Sequence, residues 1–254
     1  MTSLAPGRCC SLGSLHEGNP TGQSITISRQ VEAYLARPAE KAKSKNVGIL
    51  YVPDILGIWQ NSKLMADLFA AEGYTCVVLD IFNGDPAPLN PPEGFDIMGW
   101  LSHGTSGKNP HTPEAIDPII EKGLDYLKTL GLNHIAAVGY CLGAKYVVRH
   151  YKHGIECGFV AHPSFVEQDE LAAISGPLSI AAAEKDDIFT TEKRHESEEI
   201  LAKTGQRYQI NLFSGVEHGF AVRGDPSVQV QRYAKEQAFL QAVSWFGDVF
   251  GSRE

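Results

Sequence analysis

Cys141 sits in "AVGYCLGAKY", residues 137 to 146, where an apolar run ends and a helix-forming run begins. Glycines at 139 and 143 flank it in the pattern G-Y-C-L-G. In the elbow G-x-S-x-G a strand turns into a helix so sharply that flanking side chains would strike neighbouring backbone, and the central serine is held out as a nucleophile. Here a cysteine takes that place. The plainer reading is a small cysteine packed in a core, where free thiols are common. Five residues do not separate the two.

A thiol needs a base to become a thiolate near neutral pH, and the base needs an orienting carboxylate. Elbow enzymes present nucleophile, acid and histidine in that chain order, each on a loop after a strand. Of the nine histidines, His16, His103, His111 and His134 precede Cys141. His150 and His153 fall on the helix after the elbow and are expected to face solvent. His195 lies in the charged stretch "EKRHESEE", and His162 in "AHPSF" is a minor candidate. His218 follows the apolar run "YQINLF" in "SGVEHGFAV", just before the last helix, and is the base this reading selects. The acid is sought in "AEKDDIFT", which offers Glu184, Asp186 and Asp187. Asp186 fits the frame D-x-x-apolar-Thr best. It would hold the histidine in the tautomer that takes the thiol proton.

The elements that must position these residues alternate. From Asn46 onward, strands are expected at 47–52, 75–82, 134–140, 157–162, 177–183 and 207–213. Helices are expected at 62–73, 113–130, after the elbow, at 191–204 and at 226–250. Two short strands near 24–28 and 32–36 precede them, and "AEKAKSKN" reads as a solvated turn. Continuous apolar runs such as "VGILYV" suit strands covered on both faces, so the pattern is a doubly wound, mainly parallel α/β sheet. Residues 83–112, rich in proline and glycine, read as a long irregular insertion, of the kind that is either disordered or a functional lid. Residues 1–23 read as an irregular lead-in to a single domain spanning 1–254.

Composition bounds the rest. A net charge of -8 argues against nucleic acid and anionic membranes as partners. No apolar window is long enough to span a bilayer, and the N-terminal stretch lacks the apolar centre of a secretion signal. The five cysteines are odd in number and unpaired in spacing, which points to a reducing, cytoplasmic setting. Cys9 and Cys10 are expected to be exposed; a redox pair or a fragment of a metal site is the minor reading, because no second ligand pair accompanies them. No metal or cofactor is expected.

Taken jointly, "GYCLG", "AEKDDIF", "EHGFAVR" and "VPDILGIWQN" resemble the dienelactone hydrolase family from about Val31 onward. The lead-in "CC…HEGNPTG" is similar to that of the family's fungal branch. The resemblance implies an α/β-hydrolase fold with a Cys141–His218–Asp186 triad. It also implies hydrolysis of a small activated ester, enol lactone or thioester, in aromatic catabolism or in polyketide metabolism. Bacterial members carry a glutamate after this first long strand, against the resting thiol. Asp54 stands there, so the resemblance implies a carboxylate that gates the thiol by like-charge repulsion. The amides of Ile55 and Leu142 would form the oxyanion hole. Arg223 would bind a substrate carboxylate or, more plainly, pair with Asp225. Trp59 and Phe220, with Phe82 and Trp100, would wall an apolar pocket. The rival class is a non-turnover redox-sensing or binding protein, although no resolving thiol for Cys141 is visible in the sequence.

Overall fold

Five or six apolar residues in a row cannot alternate between core and water, so each such run demands cover on both faces. A computed structural model, describing residues 1–39, 45–132 and 134–251, meets that demand. The turn expected at 39–46 lies largely outside the described residues. The strands are β1 (Gln23–Ile27), β2 (Val31–Ala36), β3 (Val47–Val52), β4 (Thr75–Leu79), β5 (His134–Tyr140), β6 (Cys157–Ala161), β7 (Leu178–Lys185) and β8 (Tyr208–Glu217). They form one sheet in the order β1-β2-β4-β3-β5-β6-β7-β8. The β1–β2 hairpin is antiparallel and joins β4 antiparallel; every other neighbouring pair is parallel.

The helices are α1 (Gln60–Ala71), α2 (Ile97–His103), α3 (Pro113–Thr129), α4 (Gly143–Arg149), α5 (Gln168–Ala172), α6 (Thr191–Thr204), α7 (Phe220–Arg223) and α8 (Gln229–Gly251). Two cores result, one on each face of the sheet. Ile116, Ile120 and Leu124 of α3 and Leu201 of α6 fill one. Met65 and Phe69 of α1 and Phe246 of α8 fill the other. No helix among the described residues is long and apolar enough to cross a membrane.

Strand register carries the functional consequence. Val52 of β3 pairs with Gly139 of β5, Tyr140 with Ala161 of β6, and Lys185 of β7 with Glu217 of β8. The residues that leave these strands are therefore neighbours along one edge: Asp54 and Ile55, Cys141, His162, Asp186 and His218. Side chains at the carboxyl edge of a parallel sheet are where this architecture places ligands.

Three expectations need correcting. The insertion is not structureless, since Asp96 accepts from the Gly99 amide at 2.9 Å and caps α2 within it. His150 does not face solvent: it is 1 % exposed, with Nε2 2.8 Å from Asp117. The lead-in is a packed strap. The Thr2 amide donates to Val166, Leu4 to Ile188, Ser14 to Arg223 and His16 to Asn61, so its backbone is bonded to four parts of the domain.

Candidate active site

The elbow is built from two glycines that have no room for a side chain. A Cβ on Gly143 would lie 2.1 Å from the Val52 carbonyl oxygen, and one on Gly139 2.7 Å from the Gly143 oxygen. Their absence lets α4 start directly against the end of β3. Between them Cys141 adopts φ 53°, the left-handed region that costs a side-chain-bearing residue on the order of 1–3 kcal/mol. Surrounding bonds hold it there. Its amide donates to Ala161, and its carbonyl accepts from Ala144 and Ser164 at 3.2 and 3.0 Å.

Cys141 Sγ lies 3.2 Å from His218 Nε2 and 3.5 Å from Ser164 Oγ. His218 Nδ1 meets both Asp186 oxygens, at 3.0 and 2.9 Å. Asp186 is fixed in turn by the amides of Ile188 and Phe189, which donate to Oδ1 at 2.8 and 2.9 Å. Asp187 is exposed. The carboxylate–imidazole–sulfur line therefore runs through Asp186. It is sealed from water, with side-chain exposures of 0 % for Asp186 and 1 % for His218.

Charge in this line is separated. Burial alone would raise the Cys141 thiol. The Cys10 hydrogen bond and the neighbouring His218 and Arg223 cations outweigh it and hold the thiol well below its ordinary value. Burial alone would likewise lower His218, but the Cys141 thiolate and Asp186 push it up to about 10. Burial also works against the Asp186 carboxylate, yet His218 and the two amides keep it lowered. These directions favour a thiolate–imidazolium pair backed by a carboxylate.

Ile55 follows the Val52–Pro53 backbone that crowds Gly143, and Leu142 is the residue after the cysteine. Asp54 is not free to face the thiol. It forms a fully buried ion pair with Arg223, while its Oδ1 accepts from the Leu56 amide at 3.1 Å. Arg223 accordingly pairs with Asp54 rather than Asp225, and it donates to the carbonyls of Leu12 and Cys9 in the strap. The gate expected at Asp54 is thus a neutralised pair.

Phe220 is buried 5.8 Å from the His162 ring and lines a cavity of about 190 Å³ beside His218. Trp59 instead precedes α1 and packs on the α1–α8 core, so the structure does not bring it to this cavity. Phe82 and Trp100 pack on each other at 5.0 Å in the insertion. A larger cavity of about 710 Å³, between the strap and α1, contains none of Cys141, Asp186 and His218.

Residues 31–250 match the Dienelactone hydrolase family. The chain belongs to that family. It is 50 % identical over 249 residues to a hydrolase, pyvD, of Aspergillus violaceofuscus, covering 97 % of this chain and 98 % of that one. It is 47 % identical over 253 residues to the hydrolase tropI of Talaromyces stipitatus, covering 98 % of each. Among solved structures it resembles a dienelactone hydrolase-like promiscuous phosphotriesterase from metagenomic libraries. That likeness has a TM-score of 0.70 at 13 % identity and covers 90 % of this chain and 98 % of the other. Membership makes this enzyme a carboxylic ester hydrolase on an α/β-hydrolase fold.

Within this dienelactone hydrolase family member, sequence reasoning missed two neighbours of the thiol, Cys10 and Ser164, and held a third, His162, only as a minor candidate. Cys10 is wholly buried with Sγ 3.5 Å from His218 Nε2, so neither it nor the half-buried Cys9 forms an exposed pair. Ser164 reaches Cys141 from just beyond β6. His162 lies 5.0 Å from the His218 ring, fully buried, and burial drives it to the neutral form. Its two ring nitrogens have no partner among the described residues. The only signal for Ser164 and His162 was position, since "AHPSF" follows a strand on the active edge, and Cys10 carried none.

Proposed function

We propose that this enzyme hydrolyses small activated esters, enol lactones or thioesters through an acyl-enzyme on Cys141. One observation carries the reading: a buried Asp186–His218–Cys141 line with the sulfur on a strained elbow. The thiolate attacks the carbonyl carbon, forming the C–S bond. The oxyanion rests on the amides of Ile55 and Leu142, neither of which has an acceptor of its own among the described residues. Collapse breaks the bond to the alkoxide or thiolate leaving group, which takes the proton from His218. Neutral His218 then removes a proton from water as it attacks the thioester. The acid leaves and the Cys141 thiolate returns.

Leaving-group chemistry favours these substrates over amides. A tetrahedral intermediate expels its better leaving group, and a thiolate leaves far more readily than an unprotonated amine. An enolate or a thiolate competes with Cys141 on equal terms. Five free cysteines, four of them buried, favour a reducing compartment such as the cytoplasm for the reaction.

The test is Cys141→Ala against an activated aryl ester. Turnover should vanish with the melting temperature little changed, and intact mass should show an acyl adduct on the wild type alone. Substantial kcat in Cys141→Ala, or an adduct mapping elsewhere, would remove the thiol from the role of nucleophile.

A further inference from the structure

Cys10 takes no part in the reaction just described. It ends a short 3-10 turn, Arg8–Cys10, in the strap, and its Sγ points at the nitrogen that meets the Cys141 sulfur. Cys10 Sγ, Cys141 Sγ and His218 Nε2 all lie within 4.8 Å of one another. The two sulfur–nitrogen distances are 3.5 and 3.2 Å. Tetrahedral zinc, with bonds of about 2.3 Å to sulfur and about 2.0–2.1 Å to nitrogen, holds its ligand sulfur and nitrogen atoms roughly 3.5 Å apart. The three donors already stand near that spacing.

The surroundings agree. His218 Nδ1 faces Asp186, the carboxylate–histidine arrangement that aims the other ring nitrogen at a metal. Two thiolates neutralise a divalent ion, so the filled site carries no net charge into a buried place. Thiolate and imidazole donors favour zinc over magnesium or calcium, which take oxygen. The cavity beside His218 is lined also by Cys9 and Leu12, the residues on either side of Cys10 and Ser11 in the strap.

We propose that Cys10, Cys141 and His218 form a zinc-binding site that stops catalysis by occupying the nucleophile and its base together. The bonds formed are two Zn–S and one Zn–N, and those broken are Cys10 S–H and His218 Nε2–H, whose two protons pass to water. Because Cys10 belongs to the strap and the other two to the sheet edge, the ion also staples the strap shut. Coordination rests on geometry alone; only the loss of activity rests on reading Cys141 as nucleophile.

The experiment uses full-length protein, reduced with a phosphine and handled without oxygen, titrated with cobalt and then with zinc. One cobalt per chain should bind with a thiolate-to-cobalt charge-transfer band, and zinc should displace it. Stoichiometric zinc should inhibit ester turnover, and a chelator should restore it. Cys10→Ser and Cys141→Ala should each weaken that band and lower zinc affinity by more than the roughly tenfold that losing even an outer-shell partner can cost. Inhibition is scored in wild type and Cys10→Ser only, each against its own metal-free rate.

Equal affinity and spectra in wild type and Cys10→Ser would overturn the proposal and point to another cluster, such as Glu121, His150 and His153. Loss of two titratable thiols after chelation would also overturn it, in favour of a Cys10–Cys141 disulfide. A cobalt band that needs both cysteines, in a protein that turns over no ester, would keep the metal site and sink the hydrolytic reading instead.

Discussion

Cys141 is wholly buried with Cys10 Sγ of the strap within 4.8 Å of its sulfur, so labelling is expected to require the strap to lift. Asn90 is the perturbation that tests this. Its side chain accepts from the Gly13 amide at 3.1 Å and donates to the Gly13 carbonyl at 2.9 Å, pinning the strap to the insertion. Asn90 has φ 51°, so Asn90→Gly removes both bonds while keeping a backbone that glycine adopts freely. Each bond is worth about 0.5–1.5 kcal/mol net, at the low end where water replaces it, so the pair contributes roughly 1 kcal/mol. If labelling passes through a rare open state, its rate scales with that state's population. At about 1.4 kcal/mol per factor of ten, Cys141 alkylation should quicken about fivefold. The assay is pseudo-first-order iodoacetamide labelling, quantified peptide by peptide. Cys76 in β4 and Cys157 in β6 are buried in the sheet and serve as internal reporters of global unfolding. Their rates should not change. An unchanged Cys141 rate, or equal acceleration at all three cysteines, would refute a strap that opens on its own.

Asp186→Asn should lower kcat by about 10³–10⁴ by leaving His218 in the wrong tautomer, as in serine triads, while Asp187→Asn stays near wild type in the same steady-state assay. The pH profile of Cys141 alkylation should stay flat through neutrality, whereas an ordinary thiol loses about tenfold per unit below a pKa of about 8.5. A raised histidine contributes stability that is complete below its unfolded value and fades as pH climbs through about 10, so the thiolate–imidazolium pair should weaken at that alkaline end. In Cys141→Ala the thiolate is gone, so His218 should titrate below about 10, as ring-proton NMR would read. Asp54→Asn leaves the buried Arg223 guanidinium without its counter-charge and should cost about 3–5 kcal/mol in denaturant unfolding.

Much of the fold was legible because its signals are local. The runs at β3 and β5 and the glycine-flanked elbow state their conformation within ten residues, and His218 and Asp186 follow strands whose ends are just as plain. The strap was illegible for the opposite reason. Its bonds run from Thr2 to Val166, from Gly13 to Asn90 and from Ser14 to Arg223, and they mostly join main-chain atoms. Such bonds leave no pattern in side-chain type, so glycine, serine and proline read as loop. The Asp54–Arg223 pair failed in the same way. The nearest carboxylate in sequence, Asp225, was the obvious partner, but the register of β3 against β5 brings Asp54 to the active edge instead. There, a buried guanidinium next to a buried carboxylate leaves neither with a free charge. Trp59 was misplaced because an aromatic after a strand end suits a pocket wall and a helix start equally well.

The strap, the ion pair and the thiolate belong to one arrangement. A thiolate of depressed pKa is the form that oxidants attack, and peroxide turns it into sulfenic acid. Sealing it behind the strap keeps a reactive nucleophile charged without leaving it exposed. The seal is bonded through Arg223, whose Nε donates to Leu12 and one Nη to Cys9, while its carbonyl accepts from Ser14. Lifting the strap strips those acceptors from a guanidinium already held by Asp54. A buried donor without an acceptor costs about 1–3 kcal/mol, so the open state is penalised until something replaces the two carbonyls. If a carboxylate or carbonyl oxygen beside a substrate's scissile bond takes the place of those carbonyls, opening is tied to that substrate's arrival. Kinetically, an uncharged ester and its carboxylate-bearing analogue should then differ in KM more than in kcat.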